Sequence, residues 1–279
     1  MVDLHLHSTA SDGSVPPADL PAMGARAGLR ALALTDHDTL AGLPAFLDAA
    51  REVGIEAVGG IELSTRFEFA EIHIIGYNPD PTNEALLSAL GGMQGSRAAR
   101  NAKILERLSD MGFPLDLTEV EAFAGDRKTV GRPHFARAMV ARGYVHDVPE
   151  AFARFLGDGG PAVVPRERIE TVDGIRLLRE AGAIVVWAHP RVGFSSESFH
   201  KILPKLMAAG LNGLEAYHSN QTNTKTRDVF RAARDNNLLV TGGSDFHGAC
   251  KPDISLGRGT GNLRVPNECW THLKERLHR

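Results

Sequence analysis

Val2-Asp3-Leu4-His5-Leu6-His7 and, further on, Ala31-Leu32-Ala33-Leu34-Thr35-Asp36-His37-Asp38 decide how this chain folds. Each is a short apolar run whose polar residues gather at its far end. Side chains alternate along a strand, so His5 and His7 share one face. The unbroken apolar run Ala31–Leu34 suits a strand buried on both sides. Three further clusters read the same way: Gly60-Ile61-Glu62, Glu71-Ile72-His73 and Gly243-Ser244-Asp245-Phe246-His247. One such cluster is ordinary for core histidines satisfied by hydrogen bonds. Five of them, each at an expected strand end, point to a multinuclear metal centre.

The intervening sequence predicts helices. Pro16–Ala27 carries proline in its first turn and stops at Gly28, and Leu43–Val53 stops at Gly54. Strands Ile55–Ser64 and Ile72–Gly76 are expected as a hairpin joined through Arg66–Ala70. Then follow helix Ile169–Ala181, strand Ala183–Ala188, helix Phe199–Ala209, strand Gly213–Ala216, helix Thr224–Asn236, strand Leu238–Gly242 and helix Asn267–Arg276. This alternation is α/β with parallel βαβ units. Ligands at nearly every carboxyl end favour a closed barrel, which aims those ends at one spot.

Residues 79–155 break the alternation. Helices are expected over Asn83–Met111 (one or two, with Gly91, Gly92 and Gly95 as interruptions), Leu117–Ala124, His134–Arg142 and Val148–Leu156. The expected organisation is therefore a barrel from 1–78 and 156–279, with a helical insertion seated over the strand tips as a lid. Gly157–Pro161 marks the return.

Composition sets outer bounds. At 279 residues and 43% hydrophobic, the chain buries a substantial core. A net charge of −3 gives no global signal for nucleic acid, and DNA is not expected as a partner. Two cysteines, Cys250 and Cys269, and no cleavable signal pattern suggest a cytoplasmic protein without disulfides. No apolar run reaches the roughly 18 residues that a membrane span needs. Val2 already belongs to the first strand, so the reading allows for residues before Met1. Between Arg97 and Arg142 nine Lys or Arg face six Asp or Glu, a local basic excess that suits phosphate.

The ordered set His5-Leu6-His7-Ser8, Thr35-Asp36-His37-Asp38, Gly60-Ile61-Glu62, Ala188-His189-Pro190 and Gly243–His247 resembles the PHP (polymerase and histidinol phosphatase) superfamily over residues 2 to about 250. The resemblance implies a distorted (β/α)7 TIM-like barrel and a trinuclear site hydrolysing phosphate esters. Ser11-Asp12-Gly13, Glu71–Gly76 and Gly131-Arg132-Pro133-His134-Phe135-Ala136-Arg137 look most like stand-alone bacterial enzymes. Those remove the 3′-phosphate of nucleoside 3′,5′-bisphosphates, and close relatives trim short RNA from its 5′ end.

Nine ligands follow from the resemblance. His5, His7, Glu62 and Asp245 hold one ion, and Glu62 bridges to a second completed by His73 and His134. Asp12, His37 and His247 hold the third. A carboxylate spans two cations through its two oxygens, which suits Glu62. A nitrogen and oxygen set without thiolate suits Mn²⁺, Fe²⁺ or Zn²⁺, and the aspartate at position 12 tilts the expectation to Mn²⁺. His189, surplus to the nine, and Arg132 are assigned to catalysis and substrate; Arg97, Arg100 and His218 are further substrate candidates. Asp36 is expected to orient a ligand imidazole and Asp38 to cap the next helix. His146, His200, His272 and His278 read as surface, and Cys250 as structural. The expected chemistry is in-line attack on phosphorus by a metal-bridging hydroxide. The alternatives are a 5′→3′ exoribonuclease on the same centre, histidinol phosphate hydrolysis, or an idle binding module. The last is disfavoured because every ligand position is filled.

Overall fold

A computed structural model describes residues 1–68, 70–124, 130–157, 159–164 and 168–278. Phe69 of the expected hairpin connection, Asp158 of the expected return, and Asp126, Arg127 and Lys128 of the basic stretch lie outside them.

Eight strands form one sheet: β1 (Val2–Leu6), β2 (Ala31–Leu34), β3 (Glu56–Phe67), β4 (Ala70–Tyr77), β5 (Ile169–Glu170), β6 (Ile184–Trp187), β7 (Gly213–His218) and β8 (Leu239–Gly243). The path runs β1-β2-β3-β4-β6-β7-β8, with β5 paired on the far end of β3. At the seam the Asp245 amide donates to His5 O and the His7 amide to Phe246 O, both at 3.0 Å. Gly243 makes that approach feasible, because a Cβ there would lie 2.4 Å from the His5 Cβ. The sheet is a nearly closed barrel with helices packed outside it, a distorted (β/α) barrel.

One strand runs against the others. β4 is antiparallel to both β3 and β6, so its amino end faces the mouth. His73 consequently reaches the mouth from early in its strand, opposite Ser64. β3 runs three residues past its expected end at Ser64, and Ile169–Glu170, expected as helix, pairs with its extension.

The outer helices are α1 (Leu20–Arg26), α2 (Leu43–Val53), α7 (Thr171–Glu180), α8 (Ser196–Ala208), α9 (Asn223–Asp235) and α10 (Asn267–Leu277). The expected first helix opens as a short 3₁₀ turn, Pro17–Asp19, where two adjacent prolines remove amide donors. Between β4 and β5 lie α3 (Glu84–Asp110), α4 (Leu117–Glu121), α5 (Arg132–Ala141) and α6 (Val148–Ala151), with no strand among the described residues. α3 is a single helix of 27 residues; its glycines do not break it. Leu86, Leu90 and Met93 pack on the barrel core beside Ile61, Ile72 and Ile74. Ile104 and Leu108 join a separate core with Val120, Phe135, Met139, Phe155 and Leu156. Among the described residues no helix is long and apolar enough to cross a membrane.

Candidate metal centre

Five imidazoles converge on one carboxylate. Glu62 is fully buried mid-strand in β3. Its Oε2 has His5 Nε2 at 3.2 Å, His7 Nε2 at 3.2 Å and His37 Nδ1 at 3.1 Å. Its Oε1 has His73 Nδ1 at 3.0 Å and His189 Nε2 at 3.1 Å. Asp245 Oδ1 adds a second focus, 3.3 Å from His7 Nε2 and 3.7 Å from His5 Nε2. On the far side Asp12 Oδ1 stands 3.2 Å from His247 Nε2 and 3.7 Å from His7 Nδ1. Candidate ligand atoms fall within 4.8 Å of one another in three overlapping groups: His5, His7, Glu62, Asp245; His37, Glu62, His73; and His7, Asp12, His37, His247.

Cations fit this arrangement better than hydrogen bonds do. His5 Nε2, both nitrogens of His7, His37 Nδ1 and Glu62 Oε2 are buried and make no hydrogen bond of acceptable geometry. Buried polar atoms left so are rare and costly. The tautomers point the same way for two ligands. His247 Nδ1 lies 2.8 Å from the Asp245 carbonyl, which only accepts, so the lone pair faces Asp12 from Nε2. His5 Nδ1 lies 3.0 Å from Glu215, leaving its Nε2 lone pair to the centre.

Electrostatics split the imidazoles. Burial lowers His7, but hydrogen bonds to Asp245 and Glu62 outweigh it and carry the group to about 9. For His73, Glu62 and Glu71 likewise overcome burial, to about 10. His37 goes the other way, to about 3, since burial exceeds the pull of Glu62 and Asp12. Glu62 and Asp245 resist burial and stay well below the usual carboxylate range.

Two of the expected site residues lie apart from their expected partners. His189 was expected with substrate, yet its Nε2 shares Glu62 Oε1 with His73, and their rings lie 5.2 Å apart. It follows β6 with φ at 34°, a left-handed conformation that turns the ring inward. His134, expected beside His73, makes no contact with Glu62; its charged surroundings are Asp12, Arg137 and Arg97. The reason is its element: His134 rides on α5 of the insertion, whereas His189 rides on the barrel.

Two further expectations, for Asp36 and Asp38, are corrected. Asp36 orients no imidazole: it accepts from Ser8 N and Oγ, each at 2.7 Å, and from Ser11 Oγ at 2.5 Å, bracing the loop that presents Asp12. Asp38 caps no helix; it accepts from Ser64 N at 2.9 Å and pairs with Arg97. Arg97 is thereby buried as a tie between α3 and the barrel. Arg132 donates to Leu156 O at 3.1 Å and lies 6.0 Å above the Phe152 ring. Arg100 lies on the same helix as Arg97. His218 is buried, with Nε2 3.5 Å from Asp245 Oδ2. His200 pairs with Asp228 on the surface. Cys250 lies 3.6 Å from Arg137 and joins no ligand group.

Two residues escaped the sequence reading. Glu215, fully buried in β7, binds His5 and accepts from the His189 amide at 2.7 Å, so it fixes two ligands at once. A glutamate inside the apolar run Gly213–Ala216 was the available signal. Lys251, with Nζ 2.7 Å from Asp245 Oδ2, carried none.

Comparison with known proteins gives the arrangement its family. The PHP domain pattern matches residues 3–138. A 5′-3′ exoribonuclease of Haemophilus influenzae is 36% identical over 249 residues, covering 89% of this chain and 90% of its own. The chain belongs to the PHP domain family. A 3′,5′-nucleoside bisphosphate phosphatase of Chromobacterium violaceum is 28% identical and covers 100% of this PHP chain and 98% of its own. A crystal structure from Bifidobacterium adolescentis, assigned to the metal-dependent phosphoesterases, superposes with a TM-score of 0.89 at 32% identity, over 99% of this chain and 96% of its own. This PHP protein is a metal-dependent phosphoesterase, a hydrolase of phosphate ester bonds.

Proposed function

We propose that the protein removes the 3′-phosphate of nucleoside 3′,5′-bisphosphates, using three divalent ions, Mn²⁺ first among them. The observation that carries the reading is the crowding of five imidazole nitrogens on Glu62. The ligand sets are His5, His7, Glu62 and Asp245; Glu62, His73 and His189; and Asp12, His37 and His247. Divalent ions there would lower the pKa of coordinated water from 15.7 towards roughly 7 and offset charge on the phosphoryl oxygens. The chain's own part is geometric. Glu215 holds the His5 ring and the His189 backbone in register, Asp36 holds the Asp12 loop, and Lys251 keeps Asp245 ionised. Arg132 at the start of α5 offers a guanidinium to the phosphate.

The C. violaceum relative supports the mononucleotide substrate across the full chain, and Arg97 and His134 of the insertion are buried. The second reading, a 5′→3′ exoribonuclease, draws on the more similar H. influenzae relative. The two share their chemistry. Each cleaves a phosphate ester at the 3′-oxygen of a 5′-phosphorylated nucleotide and differs only in what else the phosphorus carries. Mn²⁺-loaded protein offered adenosine 3′,5′-bisphosphate, 5′-phosphorylated short RNA and histidinol phosphate decides between them. Fast inorganic phosphate release from the bisphosphate is expected. Trimming of RNA with no attack on the bisphosphate would overturn the mononucleotide reading.

A further inference from the structure

We infer that the groove leading from the barrel mouth along α9 binds the body of a single-stranded RNA whose terminal nucleotide occupies the metal centre. The inference rests on the nucleotide reading above and adds a second, non-catalytic surface to it.

β7 delivers His218 to the centre, 3.5 Å from Asp245, and the chain passes through residues 219–222 into α9. A hollow of about 430 Å³ opens there, lined by His218, Asn223, Thr226, Asn262 and Arg264, with Tyr217 also in its wall. A second hollow of about 430 Å³ shares Tyr217, Asn223 and Thr226 and adds Arg227, Phe230, Arg231 and Arg234. The shared wall makes them one groove, which runs from the mouth down the helix. At 1.5 Å per residue the 13 residues of α9 span about 20 Å, the length of about six stacked nucleotides at 3.4 Å each.

The wall suits both repeating parts of a single strand, its phosphates and its bases. Arg227, Arg231 and Arg234 are exposed and recur at the spacing of one helix face. Among the described residues Arg227 and Arg231 make no ion pair. Both acids of the helix are engaged, Asp228 by Arg191 and His200, and Asp235 by Arg234. Attraction for phosphodiesters is therefore concentrated here, in a chain whose net charge is −3. Phe230 is 42% exposed, and among the described residues no other Phe, Tyr or Trp is an exposed residue. A lone exposed phenylalanine is ordinary on a surface. Set among three arginines in a groove, it is a platform on which a base stacks. Nearer the mouth the lining turns to hydroxyls and amides: Thr226, Thr260, Asn223 and Asn262. These match the 2′-hydroxyl of RNA, which both donates and accepts.

The test is a binding titration kept apart from catalysis. Mn²⁺-loaded protein is titrated against a 3′-labelled oligouridylate of about ten nucleotides with a 5′-hydroxyl, at several salt concentrations, and binding is read by fluorescence anisotropy. Wild type should bind it, with affinity rising with oligonucleotide length up to about six nucleotides. Replacing both Arg227→Gln and Arg231→Gln should flatten the slope of log affinity against log salt by about 1.4, two phosphate contacts at about 0.7 each. Phe230→Ala should weaken binding roughly 5- to 150-fold and leave the salt slope unchanged. Both variants should melt near wild type and release phosphate from adenosine 3′,5′-bisphosphate at the wild-type rate, because none of the three side chains touches a candidate ligand. Wild type that binds no oligouridylate, or variants that match it in affinity and slope, would overturn the inference. So would equal affinity for the deoxyuridylate of the same length. A dimer in gel filtration that Phe230→Ala dissolves, with RNA affinity intact, would give the groove to a second copy of the chain instead. Wild type that releases no phosphate from the bisphosphate defeats the mononucleotide reading alone, since that assay contains no RNA.

Discussion

The barrel and the insertion contribute to the same mouth by different means. Barrel residues arrive on or just past strands, buried or half-buried, fixed by carboxylates such as Glu215 and by backbone pairing. Insertion residues arrive on helices with a hydrophobic core of their own and present guanidinium and N–H groups. The barrel offers lone pairs and negative charge, which suit cations. The insertion offers donors and positive charge, which suit an oxyanion. Side-chain type thus follows the element that carries it, and the placement of His189 against Glu62 and of His134 beside Asp12 is one instance.

The division is most exposed at Glu62. Glu62→Ala should remove more than one metal ion per chain, because both its oxygens face imidazoles, and abolish phosphate release. Elemental analysis showing full metal in that variant would end the bridging assignment. Next in size is the tie between the regions. Arg97→Ala leaves Asp38 buried beside it without its guanidinium, so stability should fall by about 3–5 kcal/mol in urea unfolding, with smaller loss on replacing both residues by apolar ones. Equal losses would show that the pair does not act as a unit.

Glu215→Gln tests the barrel side more gently. It leaves the ligands in place but weakens their orientation, and Mn²⁺ affinity should drop about 10- to 100-fold by competition with a chelator. Arg132→Ala tests the insertion side. Its kcat/KM should fall by an amount equivalent to about 2–3 kcal/mol with metal content unchanged. An ion lost with Arg132, or none weakened with Glu215, would blur the boundary between the regions.

Much of the barrel was legible because its signals are local. His5 and His7 share a strand face by simple alternation, and Ala31–Leu34 declares double burial by its composition. Partner choice across the mouth was not legible. His134 and His189 look alike in one dimension, and only the Gly131 amide that donates to His134 Nδ1 and the shared oxygen of Glu62 tell them apart. Asp36 and Asp38 were misread for the same reason: their partners, Ser8, Ser11, Ser64 and Arg97, lie more than twenty residues away. The direction of β4 was readable as a hairpin, yet its consequence, that His73 serves the mouth from early in its strand, needed the register. In α3, Gly91, Gly92 and Gly95 read as interruptions although no neighbour lies within 4 Å of a Cβ added at any of them. Gly91→Ala should therefore stabilise the protein by about 0.5–1 kcal/mol in thermal unfolding, the smallest effect foreseen here.

Those glycines give α3 a mechanical character. At 1.5 Å per residue its 27 residues make a rod about 40 Å long. Its first third is clamped in the barrel at Leu86, Leu90 and Met93, and its last third in the insertion at Ile104 and Leu108. A rod held at both ends bends where its own stiffness is least, and glycine is the residue that holds helical shape least firmly. Gly91 and Gly92 lie between the last two contacts of the first clamp, Gly95 just past it, and Arg97 grips Asp38 immediately beyond. The most pliable stretch of α3 thus lies within about two turns of helix, next to the buried Arg97–Asp38 pair that ties it to the barrel.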